Sequence, residues 1–453
     1  MTIKNFLIIA VVGCFSLALT TAKGQNFQYA NKLMEVSFSD PKVPRYISIR
    51  KDDNSAYFVA PHWTAAEKKP VAYVSGGHPN VGAKFKMSCK PRADVWVHGK
   101  NADGFNMKAQ KLTFQSTDPT LGVYSPIESD GTFTANVVKF YPDFTIKWFV
   151  SDSESGTNAQ EIGTSTNPLY VTFQELIPIA DLRTPRASFY TLLHLGCKNA
   201  ADLSDPSTIV DAMYKEFTDQ QVSRVESPDQ PMFYWGQLAM SGGNFCFNTA
   251  GLLRYGDARC GAWAKFLVDM IRTQGIKDAK VLEVKSTSDK RITVDDFNAI
   301  QADATRSDYT IITTENDLLT EERAMFFVKD WSITERTFTP NLSDNLFIQY
   351  DSYLAYSPID VLGIPAQGVN KNPNSAFYNH AIVRYNNTIY DPSYGTPPRM
   401  DEDEWEFNAL DGFGTYLDVQ DNRDGSLIKV YWFRKNNNDS VRDTDNPFTI
   451  VNY

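Results

Sequence analysis

The chain has 453 residues, of which 42% are hydrophobic and 22% are charged, and its formal net charge at pH 7 is −10. A chain of this length exceeds what one hydrophobic core usually serves, so we expect two domains. The acidic balance excludes a protein that binds along nucleic-acid phosphates, because such a protein needs a basic face.

The first residues have the pattern of a secretory signal peptide. Lys4 precedes an apolar run over 6–19, and small residues follow at 20–22. The apolar run is shorter than the ~20 residues that a membrane-spanning helix needs. We therefore predict a cleaved signal peptide over 1–24, a secreted or periplasmic protein, and no membrane span in the mature chain. A lipoprotein modified at Cys14 is the less favoured alternative.

Short runs of alternating hydrophobicity, separated by turn residues, follow the signal peptide. They include 131–138 and 144–150, and strands of this length and spacing are typical of an antiparallel sandwich. Trp148 and Tyr170 are expected to face inward as core aromatic residues. We therefore predict an all-β immunoglobulin-like sandwich domain over 25–178.

The second half has a different hydrophobic period. Pro206 is placed to begin one helix, and apolar residues at helical spacing predict another over 260–274. A strand over 281–284 and a hairpin within HAIVRYNNTIYDPSYG follow. A helix followed by antiparallel strands predicts an α+β domain, which we assign to 179–453.

Four cysteines follow the signal peptide, without a C-x-x-C pair or a regular spacing: Cys89, Cys197, Cys246 and Cys260. This pattern argues against a zinc site or a disulfide framework, and no metal or cofactor is predicted. The acidic segment at 400–406 is interpreted as an exposed helix start, and the one at 418–425 as a solvated turn.

Cys260 has three open roles: disulfide partner, buried hydrophobe or nucleophile. If Cys260 is free, Cys197 with Cys246 is the preferred disulfide.

Cys260 begins the second predicted helix, where unpaired N–H groups and the helix dipole favour a thiolate. A catalytic cysteine also needs a histidine and a group that orients its ring. The chain has five histidines, and three of them lie in the predicted sandwich, which leaves His194 and His380. His380 begins the first strand of the hairpin and Asp391 ends the second.

The register of the hairpin decides whether these two side chains can meet. A two-residue turn at 386–387, which Asn-Asn favours, pairs Tyr385 with Thr388. In that register His380 and Asp391 lie diagonally on one face of the hairpin, close enough for their side chains to interact. A three-residue loop would place them on opposite faces.

The segments RCGAWAKFLVDMIRTQGI and NHAIVRYNNTIYDPSYG, in this order, resemble the core of the transglutaminase-like superfamily. The first is most similar to the peptide:N-glycanase branch, but the paired-cysteine zinc element of that branch is missing, so its substrate is not implied. The resemblance implies a papain-like triad, with Cys260 as the nucleophile, His380 as the general base and acid, and Asp391 as the residue that orients the histidine.

Four further residues are candidates for the oxyanion hole or the substrate cleft. Trp235 and Gln237 lie upstream of the cysteine, where a side chain sometimes completes the oxyanion hole in this superfamily. Gly261 leaves room for a substrate backbone beside the thiol, and Asn379 immediately precedes the candidate histidine.

These features predict an enzyme that attacks a peptide or carboxamide bond of a protein or peptide substrate through a thioester. Hydrolysis is favoured over transamidation, because water is always available and no acidic groove for an amine can be identified. The alternative is a non-catalytic protein, whose sandwich binds a glycan or a protein and whose second domain keeps a vestigial triad.

Overall fold

A computed structural model gives the architecture of the protein. It describes residues 32–38, 45–91, 93–241, 247–286, 309–312, 314, 325–328, 352–355, 365–370, 376–377, 379–401, 404–405, 409–425, 427–435 and 448–452. The predicted signal peptide over 1–24, with Cys14, and the predicted disulfide partner Cys246 lie outside the described residues.

The N-terminal region is built from β-strands, which pair in two sheets. In chain order the strands are β1 (Lys32–Phe38), β2 (Tyr46–Arg50), β3 (Trp63–Thr64), β4 (Val71–Val74), β5 (Asn80–Lys86), β6 (Trp96–Lys100), β7 (Met107–Lys111), β8 (Thr113–Phe114), β9 (Leu121–Glu128), β10 (Lys139–Ser151), β11 (Gln160–Thr172) and β12 (Ala187–Phe189). One sheet has the order β3-β1-β5-β9-β8, and the other β12-β2-β4-β11-β10-β6-β7.

The two sheets enclose a core that contains Trp148. Its ring contacts those of Phe85 and Tyr124 edge to face, with ring centroids 5.6 Å and 5.5 Å away. Successive strand residues point to opposite faces, so Tyr170 belongs instead to the core on the outer side of the seven-stranded sheet. The prediction for Trp148 is confirmed, whereas Tyr170 is buried on the other face from the one expected.

Two strand pairs depart from the predicted antiparallel arrangement. Strand β11 runs parallel to β4, and β12 runs parallel to β2. Parallel neighbours need a crossover, and here the chain visits other strands between the two members of each pair. The segment 131–138, predicted as a strand, lies outside any strand and contributes buried Phe133 and Val138 from a loop.

The rest of the chain combines helices with further strands. Its elements are α1 (Tyr190–Asn199), α2 (Pro206–Thr218), β13 (Ser223–Arg224), β14 (Ser227–Pro231), β15 (Phe233–Tyr234), α3 (Gln237–Ser241), α4 (Thr249–Tyr255), β16 (Asp257–Ala258), α5 (Cys260–Thr273), β17 (Lys280–Ser286), β18 (Tyr309–Ile311), β19 (Met325–Val328), β20 (Ser352–Ala355), β21 (Ala376–Phe377), β22 (Asn379–Tyr385), β23 (Thr388–Tyr390), β24 (Leu410–Asp421), β25 (Leu427–Lys435) and β26 (Phe448–Asn452). Among the described helices, none is long and apolar enough to cross a membrane.

Helix α5 lies at the centre of this half and packs against α1, α4, β17 and β22. Its residues are buried all along its length, apart from Lys265 and Arg272 on one edge. Gly275 follows the helix with a φ of 74°, a conformation that glycine adopts without strain. A sheet in the order β23-β22-β17-β26 covers the helix.

The predicted hairpin has the expected register. Strands β22 and β23 pair Tyr385 with Thr388, and the turn residue Asn386 has a φ of 52°. Asparagine tolerates this left-handed conformation better than most residues, which explains how the short turn forms. The register prediction is confirmed.

Cys197 is a free buried thiol on α1, which contradicts the predicted pairing with Cys246. Its Sγ donates to the carbonyl of Val171 at 3.6 Å and accepts from Nε2 of Gln274 at 3.5 Å. Burial raises the pKa of this thiol to about 12. The side chain therefore acts as a small core residue that joins the seven-stranded sheet to the end of α5.

Asp52 connects the β-rich region to the first helix. Its carboxylate accepts hydrogen bonds from the backbone N–H of Thr191 at 3.0 Å and from the Thr191 hydroxyl at 2.7 Å. Thr191 lies in the first turn of α1, whose own N-cap residue Phe189 supplies no side-chain cap. A carboxylate from a distant loop thus satisfies an N–H group that the helix leaves unpaired.

We expect Asp52→Ala to lower the free energy of unfolding by about 1–2 kcal/mol, since it leaves buried donors without an acceptor. Burial, the largest influence, raises the pKa of Asp52 to about 6, against about 3.9 in an unfolded chain. The folded state therefore binds the proton more tightly, and the contribution of Asp52 to stability falls as pH rises from about 4 to 6. Urea denaturation across this range measures both effects.

Two variants serve as controls for Asp52. Asp52→Asn keeps an oxygen acceptor and should remove the pH-dependent part alone. The neighbouring Asp53 is exposed, and Asp53→Ala should change stability by less than about 0.5 kcal/mol. Equal losses in Asp52→Ala and Asp53→Ala would contradict the assignment of a helix cap.

Candidate active site

His380 and Asp391 form a buried hydrogen-bonded pair on the hairpin. Nε2 of His380 lies 2.9 Å from Oδ2 of Asp391, and the two residues are 0% and 1% exposed. Burial alone would lower the pKa of His380, but the Asp391 carboxylate and the interaction with the Cys260 side chain outweigh burial and raise it. The geometry therefore favours a charged imidazolium at neutral pH.

Cys260 faces this pair from the first position of α5. The N-cap is Arg259, whose extended backbone ends the short strand β16 and directs the chain into the helix. The Cys260 side chain lies close enough to the His380 ring to raise its pKa, and 9% of the residue is exposed. The three residues of the predicted triad are thus brought together.

Asp391 is held by contacts on both its side chain and its backbone. Its Oδ1 accepts the N–H of Ser393 at 3.2 Å. The Tyr214 hydroxyl lies 2.9 Å from the Asp391 carbonyl and 2.7 Å from the Thr396 carbonyl, so its one proton is shared between two acceptors. Tyr214 on α2 therefore fixes the turn that aims the carboxylate at the histidine.

The turn after Asp391 requires a glycine. Gly395 donates its N–H to the Asp391 carbonyl at 2.9 Å and has a φ of 64°. A Cβ at this position would lie 2.0 Å from the carbonyl oxygen of Phe217, at the end of α2. The helix and the turn can approach this closely only because the side chain is absent.

Aromatic rings enclose His380 on several sides. Ring centroids lie 6.5 Å away for Tyr234, 5.7 Å for Tyr394 and 6.4 Å for Trp405, and the Trp405 ring is within 9° of parallel to the imidazole. Burial raises the pKa of the Tyr234 and Tyr394 phenols, and the nearby Cys260 side chain adds to that rise. These rings exclude water from the His380–Asp391 bond, which strengthens it electrostatically.

Sequence reasoning missed this enclosure. Trp405 is 1% exposed, although it lies in the acidic segment 400–406 that we interpreted as an exposed helix start. Tyr394 lies in the DPSYG stretch that follows the hairpin, and only its proximity to Asp391 could have drawn attention to it. Contacts between distant segments carry no periodic signal in the sequence.

The upstream segment that contains Trp235 and Gln237 lies beside the start of α5. Trp235 donates its backbone N–H to Ala258 at 3.0 Å and has a φ of 56°, which is unusual for a bulky residue. The Asp257 carboxylate accepts the N–H groups of Gly236, Leu238 and Ala239. Gln237 is exposed at the start of α3. The segment is therefore fixed next to Cys260, as an oxyanion-hole element would need to be.

The other two cleft candidates have different surroundings. Gly261 is buried in the first turn of α5, next to the thiol. Asn379 is exposed and its Nδ2 donates to Oε1 of Glu283 at 2.7 Å. Adjacent strand residues face opposite sides, so Asn379 points away from the face of β22 that carries His380. The structure brings Gly261 to the thiol but not Asn379.

His194, the other candidate base, lies elsewhere. Its Nδ1 is 3.0 Å from the hydroxyl of Tyr170, on the side of α1 that meets the seven-stranded sheet. Burial and then Lys198 lower the pKa of His194 to about 4. The contacts of His194 therefore lie between α1 and the seven-stranded sheet, and not at the candidate site.

Over the described ranges, no group of three or more His, Cys, Asp or Glu side chains is arranged to hold a metal ion.

In comparisons with known proteins, no protein-family model matches this sequence, and no curated protein matches it significantly.

The raised pKa of His380 predicts a specific pH dependence of stability. An unfolded histidine has a pKa of about 6.5, so the stabilisation from protonated His380 is fully present below that pH and is lost as pH rises towards the folded value. In a Cys260→Ala background, where no thiol exchanges its proton with His380, the free energy of unfolding relative to the variant that also carries His380→Gln should fall above pH 6.5 by up to about 1.4 kcal/mol per pH unit. Urea denaturation between pH 6 and 10 measures this difference.

His194→Gln is the matched control for that experiment. Because the pKa of His194 is lowered, the same difference for this variant should be flat above pH 7. If the difference in free energy of unfolding caused by His380→Gln stays constant with pH, the assignment of a raised pKa to His380 is wrong.

Proposed function

We propose that the protein is a secreted or periplasmic transglutaminase-like enzyme that attacks a peptide or carboxamide carbonyl with Cys260. One observation carries the proposal: His380, hydrogen-bonded to Asp391 at 2.9 Å, also interacts with a cysteine at the first position of a helix. The same three residues, in the same order, carry the sequence resemblance. The proposed organisation is an immunoglobulin-like sandwich followed by an α+β catalytic domain.

The proposed reaction starts from a Cys260 thiolate beside a His380 imidazolium. The Cys260 thiolate attacks the carbonyl carbon, and its negative charge passes to the carbonyl oxygen, where N–H groups at the start of α5 can stabilise it. The His380 imidazolium then gives its proton to the leaving amine, and the C–N bond breaks to leave a thioester. Asp391 holds the ring so that the proton lies on the side of the thiol.

The second half of the reaction regenerates the cysteine. Neutral His380 accepts a proton from water, whose oxygen attacks the thioester carbonyl and releases a carboxylic acid and the thiolate. An amine in the place of water would give transamidation. We favour hydrolysis of a protein or peptide amide, because water needs no binding site of its own.

A non-catalytic protein with a vestigial triad is the second candidate function. The observation in its favour is burial: His380 is 0% exposed and Cys260 is 9% exposed, so little of the triad reaches solvent. The His380–Asp391 hydrogen bond argues against this candidate. Burying a carboxylate and an imidazole in an apolar enclosure costs free energy, and packing alone does not require these two groups. Reactivity of Cys260 distinguishes the two functions.

Alkylation by iodoacetamide tests whether Cys260 is activated. A free thiol has a pKa of about 8.5 and reacts slowly at pH 6, whereas a thiolate paired with an imidazolium reacts at that pH. We expect His380→Ala to lower the rate at pH 6 by about tenfold or more. Mass spectrometry of the labelled peptides separates Cys260 from exposed Cys89 and buried Cys197.

Two further variants complete the experiment. Cys260→Ala gives the background, and His194→Ala removes a histidine that does not contact the thiol. Equal labelling rates at pH 6 in the wild type and His380→Ala would contradict the proposed function.

A further inference from the structure

Arg259 lies immediately before Cys260 and is held in one orientation. It is the N-cap residue of α5, but its side chain makes no capping hydrogen bond. Its Nε instead donates to the carbonyl of Ala239 at 3.0 Å. This bond fixes the plane of the guanidinium and leaves its two Nη groups for other partners.

Two aromatic rings flank the Arg259 guanidinium. Its central carbon lies 4.9 Å from the ring centroid of Trp235 and 5.4 Å from that of Phe247. Both contacts are within the range of cation–π interactions. The rings also displace water, which strengthens any further charge interaction of this cation.

Arg259 makes no ion pair in the part of the chain that the structure describes, although the chain as a whole has a net charge of −10. Asp257, the nearest aspartate in sequence, is used by the N–H groups of the upstream segment. The Trp235 ring that Arg259 contacts lies 6.0 Å from the Tyr234 ring, and the Tyr234 ring lies 6.5 Å from the His380 ring, centroid to centroid. The guanidinium is therefore close to the triad. A fixed cation that has no anionic partner among the described residues therefore adjoins the nucleophile.

We propose that Arg259 binds a carboxylate of the substrate beside the carbonyl that Cys260 attacks. The planar fork of donors on a guanidinium matches the two oxygens of a carboxylate. The partner is an acidic side chain or a free C-terminal carboxylate, since both present this group. This inference rests on the proposed function, because it takes Cys260 as the nucleophile.

Alkylating agents of different charge test this inference without a known substrate. The thiolate displaces iodide from either iodoacetate or iodoacetamide, and only iodoacetate carries a carboxylate. We expect Arg259→Gln to lower the ratio of the iodoacetate rate to the iodoacetamide rate by about tenfold, the effect of one charge-assisted hydrogen bond. The ratio cancels any change in the reactivity of the thiolate itself, because both reagents react with the same thiolate. An unchanged ratio overturns the inference.

Two control variants make the result interpretable. Arg254→Gln removes an exposed cation that lies over Tyr255, and it should leave the ratio unchanged. Arg259→Lys keeps the charge and loses the planar fork, so the ratio should fall part of the way; it replaces Arg259→Gln if that variant does not fold by circular dichroism. A fall in the ratio as large in Arg254→Gln as in Arg259→Gln also overturns the inference.

Competition identifies the source of the carboxylate. N-acetylglutamate α-amide presents only a side-chain carboxylate, and N-acetylglutamine only a terminal one. Protection of Cys260 from iodoacetamide by either compound, lost in Arg259→Gln, supports the inference and names the source; protection by neither overturns it.

The outcome of this experiment is separable from that of the proposed function. If Cys260 labelling by iodoacetamide at pH 6 does not depend on His380, the proposed function fails, whatever Arg259 does. If that labelling depends on His380 while the rate ratio is the same in the wild type and Arg259→Gln, the proposed function stands and only the carboxylate site fails.

Discussion

Burial of helix α5 is the constraint on which the candidate site depends. The helix is enclosed by α1, α4 and the sheet that contains β22, so its axis and its rotation are determined by packing. Close packing of this kind leaves few alternative side-chain positions. The first residue of the helix, Cys260, is therefore fixed against the strand that carries His380. The position of the thiol follows from the core rather than from a flexible loop.

Polar contacts, together with the packing of α5, hold the segments around the triad in place. Tyr214 and Gly395 fix the turn after Asp391, and the Asp257 carboxylate fixes the upstream segment beside the thiol. The contacts of Tyr214 and Asp257 join segments that are far apart in sequence, whereas the Gly395 N–H closes the turn locally. A site assembled in this way has its groups oriented before a substrate arrives, which is the usual requirement for electrostatic catalysis.

Local patterns predicted the elements that local physics determines. Helix α2 begins at Pro206, α5 begins at Cys260, and the hairpin has the register that its Asn-Asn turn favours. These features depend on capping, on helical periodicity and on turn geometry, and each of these is determined by residues that are close in sequence. The spatial relation of His380 to Asp391 could be deduced for the same reason.

Features that depend on distant contacts were not predictable from the sequence. The segment 131–138 has the hydrophobicity of a strand, but its apolar side chains fill a core from a loop. Trp405 lies among acidic residues, and nothing near it in sequence indicates that its ring stacks beside His380. Cys197 makes its contacts with Val171 and Gln274, which belong to other elements.

The seven-stranded sheet has a consequence for how this protein could evolve. One of its faces covers the core shared with the five-stranded sheet, and the other packs against the helices of the second half. Asp52 adds a helix cap across the same junction. A recombination event that exchanged the β-rich region for another module would expose an apolar sheet face and remove that cap. The two halves are thus expected to be inherited together, and changes at their junction to occur in compensating pairs.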